Sequence, residues 1–262
     1  MTFDLDAVKM GELIALDGIK EGKYAQVICY PRYSFEELEK RLEEMRALGI
    51  TALEFIGEST ILNLPFLGKG CVSLVVLART EFGKVALKIR RTDANRPRMM
   101  QEAEMLRTAN SVNVGPKLIG FTENFLTMEF VDGMLLPKWV KNVVEMGATT
   151  RVRRVLQDVM EQSWRLDEIG LDHGELSHAS KHIMINSEDK AYILDFETAS
   201  RNRRASNVTS VSQYLFMRSE IAKTVRSNLD EFREEDLIRA LRIYKKDRSR
   251  KRFEEILKIC KL

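Results

Sequence analysis

Between residues 170 and 199 the chain reads Gly170-Leu-Asp-His-Gly-Glu-Leu-Ser-His-Ala-Ser-Lys-His-Ile-Met-Ile-Asn186 and, a few residues on, Tyr192-Ile-Leu-Asp-Phe-Glu-Thr-Ala199. Two short apolar stretches, Ile183 to Ile185 and Tyr192 to Leu194, flank the turn-forming run Asn186-Ser-Glu-Asp189, so the segment is expected to close as a hairpin. The polar loops adjoining its strands carry two carboxylates, Glu175 and Asp195, which the hairpin can hold close together. One suits a general base and the other a ligand for a hard cation such as Mg²⁺.

Phosphoryl transfer from a nucleotide needs those two carboxylates and a cation on the phosphates, and little covalent chemistry besides. The upstream sequence supplies further parts in order. Phe66-Leu-Gly-Lys-Gly-Cys-Val-Ser-Leu-Val-Val-Leu77 reads as strand, glycine turn and strand. Val85-Ala-Leu-Lys-Ile89 follows as a strand with one lysine, Lys88, inside an apolar run, and Arg98 to Leu106 has helical periodicity.

Taken in this order, over roughly Leu62 to Leu215, the motifs resemble the protein-kinase-like superfamily. The likeness is greatest to its small RIO-type branch and to the related kinase of the KEOPS tRNA-modification complex. The resemblance implies an α+β, bilobal fold: an amino-terminal extension over 1–60 packed on the amino-terminal lobe, a β-rich lobe over 61–131 and a reduced helical lobe over 132–262. It implies ATP and Mg²⁺ as cofactors, with Gly68, Lys69, Gly70 and Ser73 forming the glycine-rich loop over the phosphates. Lys88 would bind the α- and β-phosphates, and Glu102, rather than Glu104, would orient it. In Leu126 to Gly133, Met128 would be the gatekeeper and the backbone of Glu129 to Val131 would face adenine. Glu175 would be the base and Asp195 the metal ligand.

The catalytic segment departs from that family in three places. Glu175 stands where Asp is usual; His182 stands where a metal-binding Asn is expected, with Ser180 as the alternative counted from Glu175; and Glu197, a possible second metal ligand, stands where Gly is usual. Imidazole is a poor ligand for Mg²⁺. Asp-Phe-Glu is also a feature of choline-kinase-like enzymes, so a small-molecule phosphotransferase and a nucleotide-binding pseudokinase stand beside the Ser/Thr protein kinase or ATPase reading. The short region after Asp195 favours the RIO-like reading, whose members act through macromolecular partners in ribosome or tRNA maturation and autophosphorylate.

Read singly, these residues have ordinary explanations: a Gly-x-Gly turn is usually a hairpin, and a lysine in a strand usually faces solvent. All three histidines fall within the catalytic segment, but Cys29, Cys71 and Cys260 lie far from them in sequence, which disfavours zinc. Three cysteines without paired spacing suggest a reducing compartment, and the absence of a signal-like amino terminus or long apolar run suggests a cytoplasmic chain without membrane spans. A net charge of +3 is too small to imply nucleic-acid binding by itself, although Arg201 to Arg204 and Lys245 to Arg252 are candidate RNA contacts. Elsewhere the sequence predicts a helix over Val8 to Leu16, a strand over Ala25 to Cys29, a helix from Ser34 to about Leu48 with a capping box formed by Ser34 and Glu37, a long helix over Thr149 to Ile169, and helices over Val211 to Val225 and Glu234 to Leu241.

Overall fold

The computed structural model describes residues 11–94, 98–228 and 232–262. The chain divides into two compact units, Met1–Ala103 with Lys117–Phe130, and Glu104–Pro116 with Val131–Leu262. The first holds β1 (Glu12–Ala15), α1 (Gly22–Ile28), α2 (Phe35–Ala47), β2 (Ala52–Phe55), β3 (Ser59–Ile61), β4 (Leu64–Phe66), β5 (Gly68–Lys69), β6 (Ser73–Thr80) and β7 (Gly83–Arg90). In it α3 (Arg98–Asn110) begins, and β8 (Leu118–Phe121) and β9 (Phe125–Glu129) complete it.

Its main sheet is antiparallel in the order β1-β2-β6-β7-β9-β8, with β5 added on β6 and β3 paired with β4. Residues paired across such a sheet point the same way, so the register sorts the side chains into two faces. Rows Leu74–Ile89–Phe125 and Val76–Leu87–Thr127 lie on one face; rows Val75–Lys88–Leu126 and Leu77–Ala86–Met128 lie on the other. The first face shares a core with Val27 and Ile28 of α1 and Leu38, Leu42 and Met45 of α2. Lys88 is therefore on the face turned away from that core.

Helix α2 is capped as expected at its start, where the Ser34 hydroxyl accepts the Glu37 N–H at 3.1 Å. It is followed by Gly49 at φ +71°. Glu37 does not complete the capping box; its carboxylate instead accepts from Arg41 Nε at 2.6 Å. Arg41 is fully buried and also donates to the carbonyls of Ile28 and Arg90, each at 2.7 Å. The strand expected over Ala25 to Cys29 is helix α1. A five-residue, mostly apolar stretch interrupted by Gln26 does not distinguish a buried helix from a strand by periodicity. Here Ala25, Val27 and Ile28 are buried, and the Arg41 guanidinium satisfies the carbonyl of Ile28, the last residue of the helix. The helix expected over Val8 to Leu16 is also corrected: Glu12–Ala15 is β1, paired with β2, and Val8 to Met10 lie outside the described residues. Cross-strand pairing, which a local pattern does not contain, decided that stretch.

The second unit contains β10 (Gly133–Leu135), α4 (Leu136–Glu145), α5 (Thr149–Glu168), a 3-10 turn over Leu176–Lys181, β11 (Ile183–Asn186), β12 (Ala191–Ile193), α6 (Asn207–Phe216), α7 (Glu220–Asn228), α8 (Glu234–Tyr244) and α9 (Arg250–Ile259). Strands β10, β11 and β12 form an antiparallel sheet. The long helix appears as α5, burying Val152, Val155, Leu156, Val159 and Leu166 along one stripe. The single helix expected over Val211 to Val225 is two, because the Ser219 hydroxyl accepts the Ala222 N–H at 3.0 Å and starts α7 afresh. A β-rich unit followed by a mainly helical one gives the expected α+β class. Among the described residues no helix is long and apolar enough to cross a membrane.

Candidate active site

In the first unit Lys88 Nζ lies 2.8 Å from Glu102 Oε1, and the two residues are only 4% and 2% exposed. A buried ion pair brings little net stability, because desolvating both charges offsets their attraction. A buried pair of this kind, beside the apolar Val75 and Leu126 of the same sheet row, marks a functional candidate. The glycine turn precedes it: Gly68 and Lys69 pair with Val75 and Leu74, and the Gly70 N–H donates to the Ser73 carbonyl at 2.8 Å. Neither Gly68 nor Gly70 has a positive φ, and a Cβ on Gly68 would meet Val75 at an ordinary 3.7 Å. Neither backbone conformation nor the protein's own packing demands glycine at Gly68.

Ser73 and Met128 share the Lys88 face of the sheet, Ser73 by alternation with Val75 and Met128 through its pairing with Ala86. The Glu129 N–H donates to the Lys117 carbonyl at 2.9 Å, so this N–H is already engaged within the sheet. Val131 begins the second unit's main segment and is buried.

The second unit positions its carboxylates through a stapled loop. The Leu194 N–H donates to the His182 carbonyl at 2.8 Å, and His173 Nε2 donates to the Leu194 carbonyl at 2.9 Å. Asp172 and Ser200 exchange backbone hydrogen bonds, the Thr198 hydroxyl donates to the His173 carbonyl, and Asp172 accepts from Arg203 Nε at 3.0 Å and from the Ser206 N–H. Asn207 ties the same loop to α6. Its Oδ1 accepts the His173 N–H, while its Nδ2 donates to the Leu171 carbonyl and to Asp167. Gly174 sits at φ +92°, a backbone conformation that favours glycine.

These bonds bring Glu175, His182 and Asp195 together, with their ligating atoms within 4.8 Å of one another. His182 Nε2 is 3.1 Å from Glu175 Oε2, and Nδ1 is 3.9 Å from Asp195 Oδ2. Asp195 itself sits at φ +67°, a backbone conformation costly for a residue with a Cβ and found preferentially at functional sites. Glu197 follows in the same segment, half-buried, and Ser180 is exposed on the 3-10 turn. His173 is wholly buried and burial pushes its pKa down to about 4, so it serves as a neutral hydrogen-bonding prop beneath the loop. Two closely held carboxylates suit an oxygen-loving cation that completes its shell with substrate phosphates.

Asp167, Asp172, Thr198, Arg203 and Asn207 were not legible as parts of the site. Their partners lie 25 to 40 residues away in sequence. Of the basic segments, Arg203 is engaged with Asp172, Arg250 with Glu161 and Glu254, and Arg252 with Asp247 and Glu255.

A β-rich unit with a buried Lys–Glu pair, and a helical unit with a carboxylate-bearing hairpin loop, define a protein-kinase-like chain. The RIO domain family matches residues 77–210, just over half of the sequence, and the chain belongs to that family, a branch of the protein-kinase-like superfamily. The match begins after the glycine turn. The chain is also similar to an uncharacterized protein of Methanocaldococcus jannaschii, 34% identical over 103 residues that make up 39% of this chain and 84% of the relative.

Proposed function

We propose that the chain is an ATP-dependent phosphotransferase that moves the γ-phosphate of ATP to a protein hydroxyl, including one of its own. The observation that carries this reading is the Glu175, His182 and Asp195 cluster held on a loop stapled at His173, Asp172 and Asn207. Membership of an atypical kinase and ATPase family supports it.

In this reading Lys88, oriented by Glu102, binds the phosphates, and the glycine turn offers backbone N–H groups to them. Asp195, with Glu197 beside it in the chain, would hold Mg²⁺, which supplies charge neutralisation on the phosphates. The acceptor oxygen forms its bond to the γ-phosphorus as the bond to the bridging oxygen of ADP breaks, and Glu175 takes the hydroxyl proton. With water as acceptor the same residues hydrolyse ATP.

A nucleotide-operated switch is the second reading, favoured by the contact between Glu175 Oε2 and His182, which occupies one oxygen of the base. The two part on Glu175→Gln. A positioned base contributes ~10²- to 10⁴-fold. The phosphotransferase reading expects ATP affinity by calorimetry to stay near wild type while autophosphorylation and ATP hydrolysis fall by about a hundredfold or more. Equal turnover in the two proteins, with protein acceptors and with ribosomal and tRNA fractions added, sinks the catalytic reading and leaves the switch.

A further inference from the structure

We propose that the groove between α6 and α8 docks an acidic peptide segment of a partner protein, with one apolar side chain seated in its cavity and carboxylates on its rim. The inference is independent of the phosphotransferase reading, because it uses none of the residues assigned to that site.

The groove follows from helical spacing. Thr209 and Gln213 of α6, with Met217 at its C-cap, recur every fourth residue; Ile238, Leu241 and Arg242 of α8, with Lys245 at its C-cap, recur at steps of three and four. Each set therefore lies along one face of its helix. Together with Arg218 the two faces line a cavity of about 250 Å³. An apolar cavity of ~150 Å³ already admits benzene, so this one has room for a bulky apolar side chain. The end of α8 sits beside the start of α6, where Arg204 donates to the Lys245 carbonyl and where Asn207 and Tyr244 share Asp167. Arg218 lies past the other end of α6, so the cations approach the cavity from opposite ends of that helix.

The rim of the groove is cationic and its floor is apolar. Arg218, Arg242 and Lys245 are exposed, no carboxylate lines the cavity, and none of these three side chains has an ion-pair partner among the described residues. Arg203, Arg250 and Arg252 are, by contrast, all held by carboxylates. Arg242 and Lys245 stand three residues apart on one helix face, a spacing at which like charges repel, and an anionic partner relieves that repulsion. Met217, Ile238 and Leu241 supply the apolar surface between the charges. An apolar anchor in a central pocket with complementary charge around it is the pattern of a protein–protein contact.

The spread of the cations selects the occupant. A single small anion would meet one end of the rim, whereas carboxylates spaced along a peptide meet both. A nucleic acid would match the charge, but no aromatic side chain lines the cavity for a base to stack on, and phosphates would leave the apolar floor unused.

The test uses the purified full chain and fluorescein-labelled pentapeptides Asp-Glu-X-Glu-Asp, where X is Leu, Ile, Met, Phe, Trp or Gly, followed by fluorescence anisotropy. At least one apolar X is expected to bind about tenfold or more tightly than Gly, and the affinity should fall with added salt, as for charges on a rim. Arg218→Glu and Arg242→Glu, at exposed positions and checked for folding by circular dichroism, should each weaken the best peptide by about tenfold or more. In ¹⁵N spectra of wild type the amide shifts on adding that peptide should centre on α6 and α8, which decides the site even where a variant does not fold. Binding of none of the peptides, equal binding of the Gly peptide, or shifts centred elsewhere overturns the inference. So does undiminished affinity in both folded variants. A decanucleotide RNA that binds wild type as tightly as the best peptide, and is weakened as much by both substitutions, marks a general polyanion surface and overturns it as well.

Discussion

His173 shows how a single side chain can be assigned by its surroundings. Its ring is 5.1 Å from Phe196 and 5.7 Å from His182, centroid to centroid, and its Nε2 proton is spent on the Leu194 carbonyl. Burial is the main cause of its low pKa, about 4, so the folded chain holds the neutral ring where an unfolded histidine titrates near 6.5. The sign follows from proton uptake. Above pH 6.5 both states are neutral and the contribution to stability is complete; as pH falls towards 4 the unfolded chain binds a proton that the native state refuses, and stability drops. At about 1.4 kcal/mol per pH unit, the loss between pH 6.5 and 5 is expected to be roughly 2 kcal/mol. NMR titration of the three histidine rings should find one that remains neutral at pH 5. If His173 titrates near 6.5, its role as a neutral prop is wrong.

At the scale of elements, two buried polar groups tie helices to distant chain. Arg41 joins α2 to the end of α1 and the end of β7, and also donates to the Asn124 side chain at 3.2 Å. Replacing it by Leu leaves the Ile28 and Arg90 carbonyls without this donor in a closed core. Removing one partner from such a charged network typically costs ~3–5 kcal/mol, and urea unfolding of Arg41→Leu should show a loss of that size. In the second unit the Tyr244 hydroxyl of α8 donates to Asp167 of α5 at 3.0 Å, and the same carboxylate receives the Asn207 and Val208 N–H groups that open α6. Burial raises the Asp167 pKa despite those donors. Tyr244→Phe deletes a hydrogen bond to a charged acceptor, worth ~1.5–3 kcal/mol. A stability within 0.5 kcal/mol of wild type, on the scale of ordinary surface substitutions, would show that α6 alone satisfies Asp167.

For the whole molecule, nucleotide binding should register as stability. A ligand that binds only the folded chain stabilises it by ~2.7 kcal/mol at a hundred times its dissociation constant. Scanning calorimetry with Mg·ATP or Mn·ATP should therefore raise the unfolding temperature of wild type and of Glu175→Gln. Lys88→Met, which removes the cation assigned to the phosphates, should show little or no rise, with turnover down by about a hundredfold, as expected for preorganised charge worth ~3 kcal/mol. An undiminished nucleotide-dependent rise in Lys88→Met would remove Lys88 from the phosphate site.

The sequence by itself determined the elements whose signals are local. The β11–β12 hairpin is legible from its turn residues, β7 from an apolar run with one lysine, α2 from Ser34 and Gly49, and α5 from a sustained helical stripe. The stripe of α4, Leu136, Trp139, Val140 and Val143, is equally a local signal, whereas that of α9, Phe253, Ile256 and Leu257, lies partly within a basic run. Motif order was enough to indicate the family. Only the tertiary structure decided that Glu12–Ala15 pairs as a strand, that Ala25 to Ile28 coils beneath Arg41, and that His182 stands between Glu175 and Asp195. Those outcomes depend on partners brought from elsewhere in the chain. A strand edge, a buried guanidinium or a second carboxylate changes which local conformation is lowest in free energy, and the short segments concerned carry too little local preference to resist it.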